Sequence, residues 1–392
     1  MIRTRAAALA SKRTGLLGGE ENYGASMNID GRQISIICNF GLVMIASAFA
    51  AAGSSGVLSR QQAAGVQPIS RGAEIVVSEF VFETAPFASA HASTIVETSE
   101  GLAAAWFGGT REGAADVGVW LSRRVSGKWT VPAEVANGLQ PDGSRYPCWN
   151  PVLFEIAPGV LTLFYKVGPS PDRWWGMVQT STDGGRVWRG ARPLPDGILG
   201  PVKNKPVRLR DGTIIAASST ESGERPNPWR VHFELSRDNG VTWTIAYPPA
   251  SGINAIQPSI LMHADGRLQA VGRTQSGRVF ETWSDDSGKS WTPLSLTALP
   301  NPNSGIDAVT LRDGRQLIVY NHTAQGRSPL NISISDDGQI WKSAVVLESV
   351  PGEYSYPAVI QTADTLVHVT YTWQRQRIKH VVLDPALLKT SP

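Results

Sequence analysis

The stretch Ser181-Thr-Asp183-Gly-Gly185-Arg-Val-Trp188 decides how the rest of the chain is read, because it returns. It comes back as Ser236-Arg-Asp238-Asn-Gly240-Val-Thr-Trp243 and as Ser284-Asp-Asp286-Ser-Gly288-Lys-Ser-Trp291. Two eroded copies flank these. Ser122 stands seven residues before Trp129, and Asp336, Gly338 and Trp341 keep the register although Ile334 replaces the serine. A repeat at a period of about 50 residues marks an array of like units. Each copy packs turn formers and a Trp into a short span, so each predicts a tight hairpin turn with an aromatic anchor.

Between the Trp turns lies a second repeat: an apolar run, a turn that usually contains glycine, and another apolar run. Its copies open at His91, Asn150, Lys205, Gln257, Asp307 and Tyr356. Runs this short, bounded by such turns, predict β-hairpins. Their near-continuous apolarity predicts burial on both faces. Six hairpins against five Trp turns leave the last unit short of an outer strand. The segment 75–82 has no unit of its own, and it is expected to complete that last unit and close the ring. The chain therefore predicts an all-β fold, a six-bladed β-propeller over residues 74–390.

Charge is nearly balanced, at +3, and no basic run or nucleic-acid motif appears, so nucleic acid is not an expected partner. Residues 34–52, ISIICNFGLVMIASAFAAA, follow Arg32 and close on small residues. Residues 1–52 thus predict a secretory signal region, with Met27 the expected start and 1–26 an extension ahead of it. Residues 53–73 read as a linker. Export to the periplasm or the medium is expected, with no stable membrane partner after cleavage, and a monomer. Cys38 leaves with the signal and Cys148 stands alone, which predicts no internal disulfide. No His, Cys and Asp cluster has metal spacing, so neither a metal nor another cofactor is expected.

Antiparallel pairing places the start of each first strand and the end of each second strand at one mouth of the ring. The first strands bring His91, Asn150, Lys205, Gln257, Asp307 and Tyr356. Seven residues past each turn glycine come Gly108, Lys166, Ser219, Arg273 and Asn321. Nearby loops add Arg111, Asp116, Lys203, Glu221, His322, Arg327, Tyr354 and Trp373. The opposite ends carry mostly Asp and Gly. A mouth richer in cations than in carboxylates, with aromatic walls, fits an acidic sugar. The planar guanidinium of Arg suits a carboxylate.

The Ser/Asp/Gly/Trp turns are similar to the Asp-box of sialidase-type propellers, and the region 90–373 resembles sialidases. The resemblance implies a six-bladed β-propeller of sialidase type. It also implies an exported, exo-acting glycoside hydrolase on glycans that carry sialic or uronic acid. It implies that Arg273 in RLQAVGRT and Arg327 in YNHTAQGRSPLNISISDDG hold the substrate carboxylate. Tyr354 in GEYSYPAV would be the nucleophile, and Asp116 in TREGAADVGVW the acid/base. Two positions depart from the pattern. His91 in FASAHAST stands where a first-strand arginine is expected. Gln257 in QPSIL stands where a glutamate would activate the tyrosine, and an amide does not accept the phenol proton as a carboxylate does. Lys203 or Lys205 is then expected to replace the arginine, and Glu221, or a lysine that lowers the phenol pKa, the glutamate.

Further substrate contacts are expected at Arg111, Asn150, Asp307, Asn321, His322, Tyr356 and Trp373, with Tyr356 an alternative to Tyr354. The stretches CWNPVLF, KNKPVRL, NPNSGIDAV and YTWQRQRIKH resemble the BNR-repeat, neuraminidase-like group. Two other readings stand beside the hydrolase. One is a polysaccharide lyase on uronate glycans, in which His91 or a tyrosine removes the C5 proton. The other is a non-catalytic glycan-binding propeller.

Overall fold

The computed structural model describes residues 72–223 and 228–389, and by itself the backbone of a short hairpin, Ala25–Ile29 paired with Arg32–Ile36. The expected signal run overlaps that hairpin at 34–36. The rest of it, and the linker up to residue 71, lie outside the described residues.

Six antiparallel sheets follow one another along the chain as the blades of a propeller. Blade 1 holds Ser89–Thr98, Gly101–Gly109 and Gly118–Val125, the last pairing with both Lys128–Trp129 and Ala133–Ala136. Blade 2 holds Cys148–Ala157, Val160–Val167, Trp175–Ser181 and Arg189–Pro193. Blade 3 holds Val207–Arg208, Ile214–Glu221, Trp229–Ser236 and Thr244–Ala246. Blade 4 holds Ala255–Met262, Leu268–Thr274, Arg278–Ser284 and Ser295–Pro300. Blade 5 holds Asp307–Thr310, Gln316–Tyr320, Leu330–Ser335 and Lys342–Glu348. Blade 6 holds Tyr354–Gln361, Val367–Trp373 and Arg377–Leu383, and takes its outermost strand, Ile75–Phe80, from the start of the propeller.

That borrowed strand closes the ring. Its Glu79 accepts hydrogen bonds from Arg124 Nε (3.0 Å) and Trp129 Nε1 (3.1 Å) of blade 1, and pairs with His380 Nδ1 (3.0 Å) of blade 6. A free sheet edge is thereby covered, and the first and last blades are tied through one carboxylate.

The hydrophobic core is divided into wedges between neighbouring blades. Leu153, Leu161 and Tyr165 of blade 2 pack on Ala103, Val119 and Leu121 of blade 1, while Leu317, Val319 and Ile332 of blade 5 meet Val359, Val369 and Tyr371 of blade 6. The Trp turns lie on the face away from the mouth. In the second to fifth of them, the serine hydroxyl donates to the aspartate and accepts from a glycine N–H: Ser181 to Asp183 (2.7 Å) and from Gly185 (2.9 Å), Ser236 to Asp238 and from Gly240 (2.8 Å each). The aspartate then accepts further N–H groups, and the Thr242 hydroxyl (2.5 Å) followed by the Thr242 N–H holds the Asp238 carboxyl down to about 2. The Trp indole donates back to the glycine carbonyl and packs on the preceding blade. Trp291 stacks on Phe233 with ring centroids 3.7 Å apart.

Two details of the repeat differ from the sequence reading. In the fifth copy the serine is present after all, as Ser335, which bonds Asp337 (2.9 Å). The turn is one residue shorter, so Asp337 rather than Asp336 does the capping. In the first copy Ser122 donates to the carbonyl of Thr130 (2.6 Å), and a tight turn at Ser126 and Gly127, both with positive φ, replaces the Asp turn.

Candidate functional site

The mouth is shaped by irregularities in the inner strands. Pairing slips between His91 and Thr94, between Ile256 and Ser259, between Ser355 and Ala358, and opposite Asn150. At each slip one residue has positive φ: Ala92 (55°), Gln257 (56°), Tyr356 (50°) and Asn150 (40°). Three of the four precede a proline, which has no N–H to give to the ladder and so sits well at a bulge. A bulge re-aims a side chain. Here the re-aimed side chains meet near the axis.

Tyr356 is at the centre. Its ring centroid lies 4.2 Å from that of His91 (blade 1). Arg273 Cζ (blade 4) is 5.4 Å away, Arg327 Cζ (before the third strand of blade 5) 5.7 Å, and Lys203 Nζ (before blade 3) 5.9 Å. His91 is buried, with Nδ1 2.9 Å from the Thr372 hydroxyl, which also accepts from Ala92 N–H (3.1 Å). Burial, and then the charges of Arg375, Arg327, Arg273 and Lys203, push the His91 pKa well below the usual imidazole value. Both effects favour the neutral ring. Among the described residues, several buried polar atoms of this cluster have no partner: His91 Nε2, Gln257 Oε1, Arg273 Nε, Arg327 Nη1 and Asn303 Oδ1. Buried polar groups are usually paired, so such a concentration marks a place built to bind something polar.

Carboxylates stand at the rim and differ in kind. Burial raises the Glu221 pKa, opposed by the charge of Arg273. The Thr110 hydroxyl and N–H hold Asp116 below the ordinary range, at 2.5 and 2.8 Å. Asp116 is exposed and stays ionised, whereas Glu221 retains its proton to higher pH. Arg375 is held by Glu353 (2.5 Å) and by Glu112.

Other expected site residues are placed elsewhere or otherwise engaged. Tyr354 lies in the wedge between blades 5 and 6, and its hydroxyl accepts from Gln374 Nε2 (3.2 Å). It does not face the cations, and Tyr356 does. Trp373 packs on Phe80 of the outermost strand (5.3 Å). Lys205 and Asp307 form an ion pair (3.0 Å), and Asp307 also accepts from Ser259 Oγ (2.7 Å) and Val359 N (2.8 Å), a knot that links blades rather than an open contact. All three protons of Lys203 Nζ are taken, by Asn204 Oδ1, Ile306 O and Pro357 O at 2.8, 2.8 and 2.5 Å. Burial pulls its pKa down to about 7, so near neutral pH it carries only part of a charge, and its hydrogen bonds go to the frame. Asn321 Nδ2 ties down the carbonyls of Arg327, Pro329 and Tyr354 and so positions Arg327 (2.9, 3.0 and 2.9 Å). His322 bonds the Tyr320 hydroxyl at the rim, Arg111 is exposed on the loop after the first hairpin, and Asn150 is buried at its bulge.

A family model for BNR repeat-like domains matches residues 100–369. The chain belongs to that family. No curated protein matches it in sequence. Among solved structures, this BNR-repeat propeller is similar to a protein of unknown function from Dyadobacter fermentans, with 19% identity over 79% of this chain and 98% of that one, at a TM-score of 0.67. It is also similar to the Hadza microbial sialidase Hz136, with 18% identity, 77% and 66% coverage and a TM-score of 0.65. The intramolecular trans-sialidase from Ruminococcus gnavus, solved with oseltamivir carboxylate, gives 13% identity, 82% and 100% coverage and a TM-score of 0.63. At these identities the likeness is one of fold, a sialidase-type propeller.

Sequence reasoning missed three residues of the cluster: Thr372, Glu353 and Arg375. A signal for Thr372 was present. Five inner turns carry glycine, and in the sixth Thr365 takes that place with φ at 72°. Seven residues on from it lies Thr372, the partner of His91.

Proposed function

We propose that this propeller is a glycoside hydrolase that removes a carboxylate-bearing sugar bound at the mouth. The observation that carries the reading is the arrangement around Tyr356: two arginines and a lysine within 6 Å of its ring, and a neutral histidine beside it. Arg273 and Arg327 would bind the carboxylate, since charge-assisted bonds from guanidinium groups are strong and directional. Tyr356 would attack the anomeric carbon, and a neutral phenol is not repelled by the substrate's charge. Sialidases are the recognised exception to the two-carboxylate rule. His91 would take the phenol proton in place of the absent glutamate. The cations that depress its basicity are partly neutralised once a carboxylate arrives, so substrate binding itself favours the transfer. Glu221, with its raised pKa, suits the role of acid to the leaving oxygen better than Asp116 does. Export is part of this proposal and rests on the 34–52 run; mass spectrometry of the mature N-terminus from an exporting host tests it.

Gln257 favours a second reading. With an amide at position 257 where a glutamate would activate the tyrosine, His91 and Tyr356 could instead abstract a proton beside a uronate carboxylate, giving β-elimination. One experiment separates the two. Incubation with sialosides, uronate oligosaccharides and pectic fragments releases free acidic sugar in the first case and an ultraviolet-absorbing unsaturated product in the second. If His91 is the base, kcat/KM should hold as pH falls through the ordinary imidazole range and decline only well below it. A decline centred at the ordinary value, or no turnover on any acidic glycan, contradicts the assignment.

A further inference from the structure

Blades 1 and 6 meet in a largely apolar wedge, yet a row of buried polar side chains crosses it behind His91. The strand Val367–Trp373 pairs with Arg377–Leu383 without a slip, so His368, Thr370 and Thr372 share one face. Thr372 shows which way that face looks, since its hydroxyl meets His91 Nδ1 (2.9 Å) and the Ala92 N–H (3.1 Å) of blade 1. Two further polar groups come from blade 1. The pairing slip between His91 and Thr94 sets Ser93 against Trp106 in the ladder. Trp106 packs in one cluster with Ile378, and Ile378 is the ladder partner of Thr372. Ser93, Trp106 and Thr370 are buried, and Ser93 Oγ, Trp106 Nε1 and Thr370 Oγ1 have no partner among the described residues. His368, the next side chain in the row, has its Nδ1 engaged with His380 Nε2 (3.0 Å).

These three groups bear on where the proton of His91 sits. A neutral imidazole carries one proton, on Nδ1 or on Nε2, and a hydroxyl gives one proton and accepts at two lone pairs. The Ala92 N–H already fills one lone pair of Thr372. If Thr372 donates to Nδ1, the ring proton is on Nε2, a buried N–H with no partner among the described residues. Buried polar groups are rarely left so. That N–H would also stand on the edge of the ring turned from Thr372, beside Tyr356 and the cations around it. Positive charge there favours a lone pair over an N–H bond. If instead Nδ1 donates to Thr372, both lone pairs of the hydroxyl are filled, and Thr372 sends its own proton into the wedge. Thr370 is two residues along the strand, about 6.6 Å. That is too far for one hydrogen bond and suits two bonds joined through a water.

We propose that the wedge between blades 1 and 6 holds one buried water, which accepts from Thr372 and from the Trp106 N–H, donates to Ser93 and Thr370, and so fixes the His91 proton on Nδ1. Four polar partners are a full complement for an internal water. His91 Nε2 is thereby kept as a free acceptor beside Tyr356. Thr372, Thr370, Ser93 and Trp106 are positioning residues that act through His91. The use of that acceptor as a base rests on the readings of the preceding section, whereas the water and the tautomer do not.

Long-range nitrogen–proton correlation spectra of the isotope-labelled full chain read the tautomer, with His91 assigned by the signal lost in His91→Gln. Near neutral pH, Nδ1 should show the shift of a protonated nitrogen and Nε2 that of a bare one. Thr370→Val keeps the side-chain shape and removes an acceptor for the water. It should move the tautomer ratio by about tenfold toward Nε2–H, the effect of one lost hydrogen bond. Thr370→Ser restores a hydroxyl and should return the ratio to that of the wild type. Ser93→Ala should act in the same direction as Thr370→Val, and it decides the matter if Thr370→Val does not fold. A crystal structure at a resolution that shows ordered water should place one within hydrogen-bond reach of Trp106 Nε1 and Thr372 Oγ1. An Nε2–H tautomer in the wild type, a ratio indifferent to both substitutions, or a dry wedge overturns the proposal. None of these readouts needs turnover. A chain that shows the Nδ1–H tautomer but processes no acidic glycan would sink the reading of His91 as a base and leave the water and the tautomer standing.

Discussion

Asp307 is where the structure and the sequence disagree most sharply, and one substitution decides between them. Its Oδ1 accepts from Lys205 Nζ (3.1 Å), Ser259 Oγ (2.7 Å) and its neighbour's N–H at Ala308 (2.9 Å). Its Oδ2 accepts from Lys205 Nζ (3.0 Å) and Val359 N (2.8 Å). Side chains and backbone from blades 3, 4, 5 and 6 thus share one carboxylate. Asp307→Asn keeps the shape but removes the charge, and it turns an NH₂ group toward donors. Breaking a buried ion pair by changing one partner costs roughly 3–5 kcal/mol. Asp307 is 2% exposed but Lys205 is 20%, so water softens the loss and the lower end of that range applies. We expect a loss of about 3 kcal/mol, seen in a propeller of this size as a fall in Tm of about 4–5 °C. Urea unfolding and calorimetry measure it. Lys205→Met should cost less alone, and the pair of substitutions should cost less than their sum by about 1–3 kcal/mol, because the partners act together. Activity per folded molecule, assayed well below the melting transition, should stay near wild type. A variant that melts normally but no longer binds acidic glycan would show that Asp307 serves the ligand, as its position at a strand start first indicated, and that the blade-linking role assigned here is wrong.

Trp291→Ala should cost about 3–5 kcal/mol, because it removes a buried ring stacked on Phe233, and chemical denaturation will show it. A near-neutral result would mean that the Trp turns do not anchor one blade to the next. Stability should fall on acidification from about pH 6.5 to about pH 4, since His368 has its pKa pulled by burial to about 4 and the unfolded chain binds the proton first. The full effect is about 3 kcal/mol. Glu79, held below the ordinary carboxylate range chiefly by its bond to His380, adds a further loss at the acid end. His368→Gln should flatten the pH dependence of Tm, and an unchanged slope would argue against this origin. Gln257→Glu places a carboxylate at the buried position whose Oε1 has no partner. If Tyr356 is a nucleophile served only by the weakly basic His91, release of free acidic sugar should rise; if elimination is the native reaction, the unsaturated product should not.

The fold was legible because it is written in local chemistry repeated many times. Ser181, Asp183, Gly185 and Trp188 bond within their own eight residues, so the pattern survives in one dimension and can be read there. Ring closure was legible for a different reason, since the orphan strand at Ile75–Phe80 could be matched to the one blade lacking an outer edge. The fifth turn was misread by one residue because Ser335 and Ser-like spacing compete with Asp336 and Asp337, and only the hydrogen bonds say which aspartate caps.

The site was legible in its location and charge, and less so in its individual residues, because its geometry depends on bulges. Tyr354 and Tyr356 are two apart, and in a regular strand they would share one face. The pairing slips between Ser355 and Ala358, with Tyr356 at φ 50°, and that slip sends the two rings to different places. Tyr354 enters the wedge with Val359 and Tyr371, while Tyr356 turns to the cations. The proline after Tyr356 was a hint, as were those after Asn150 and Gln257, since an X-Pro pair inside an apolar inner strand cannot continue the ladder. Taken together, these three pairs mark where inner strands give up regular pairing to aim a side chain at the axis. The same argument explains why charge alone misled at Lys203, Lys205 and Asp307. Near the axis of a closed ring, strand starts from several blades come close to one another. A polar residue there can serve the ligand or hold its neighbours, and only the count of its hydrogen-bond partners separates the two. Lys203 and Asp307 are fully bonded, whereas Arg273, Arg327, Gln257 and His91 each keep a buried polar atom without a partner. By that criterion the site consists of the second group, and the first is the frame that holds it in shape.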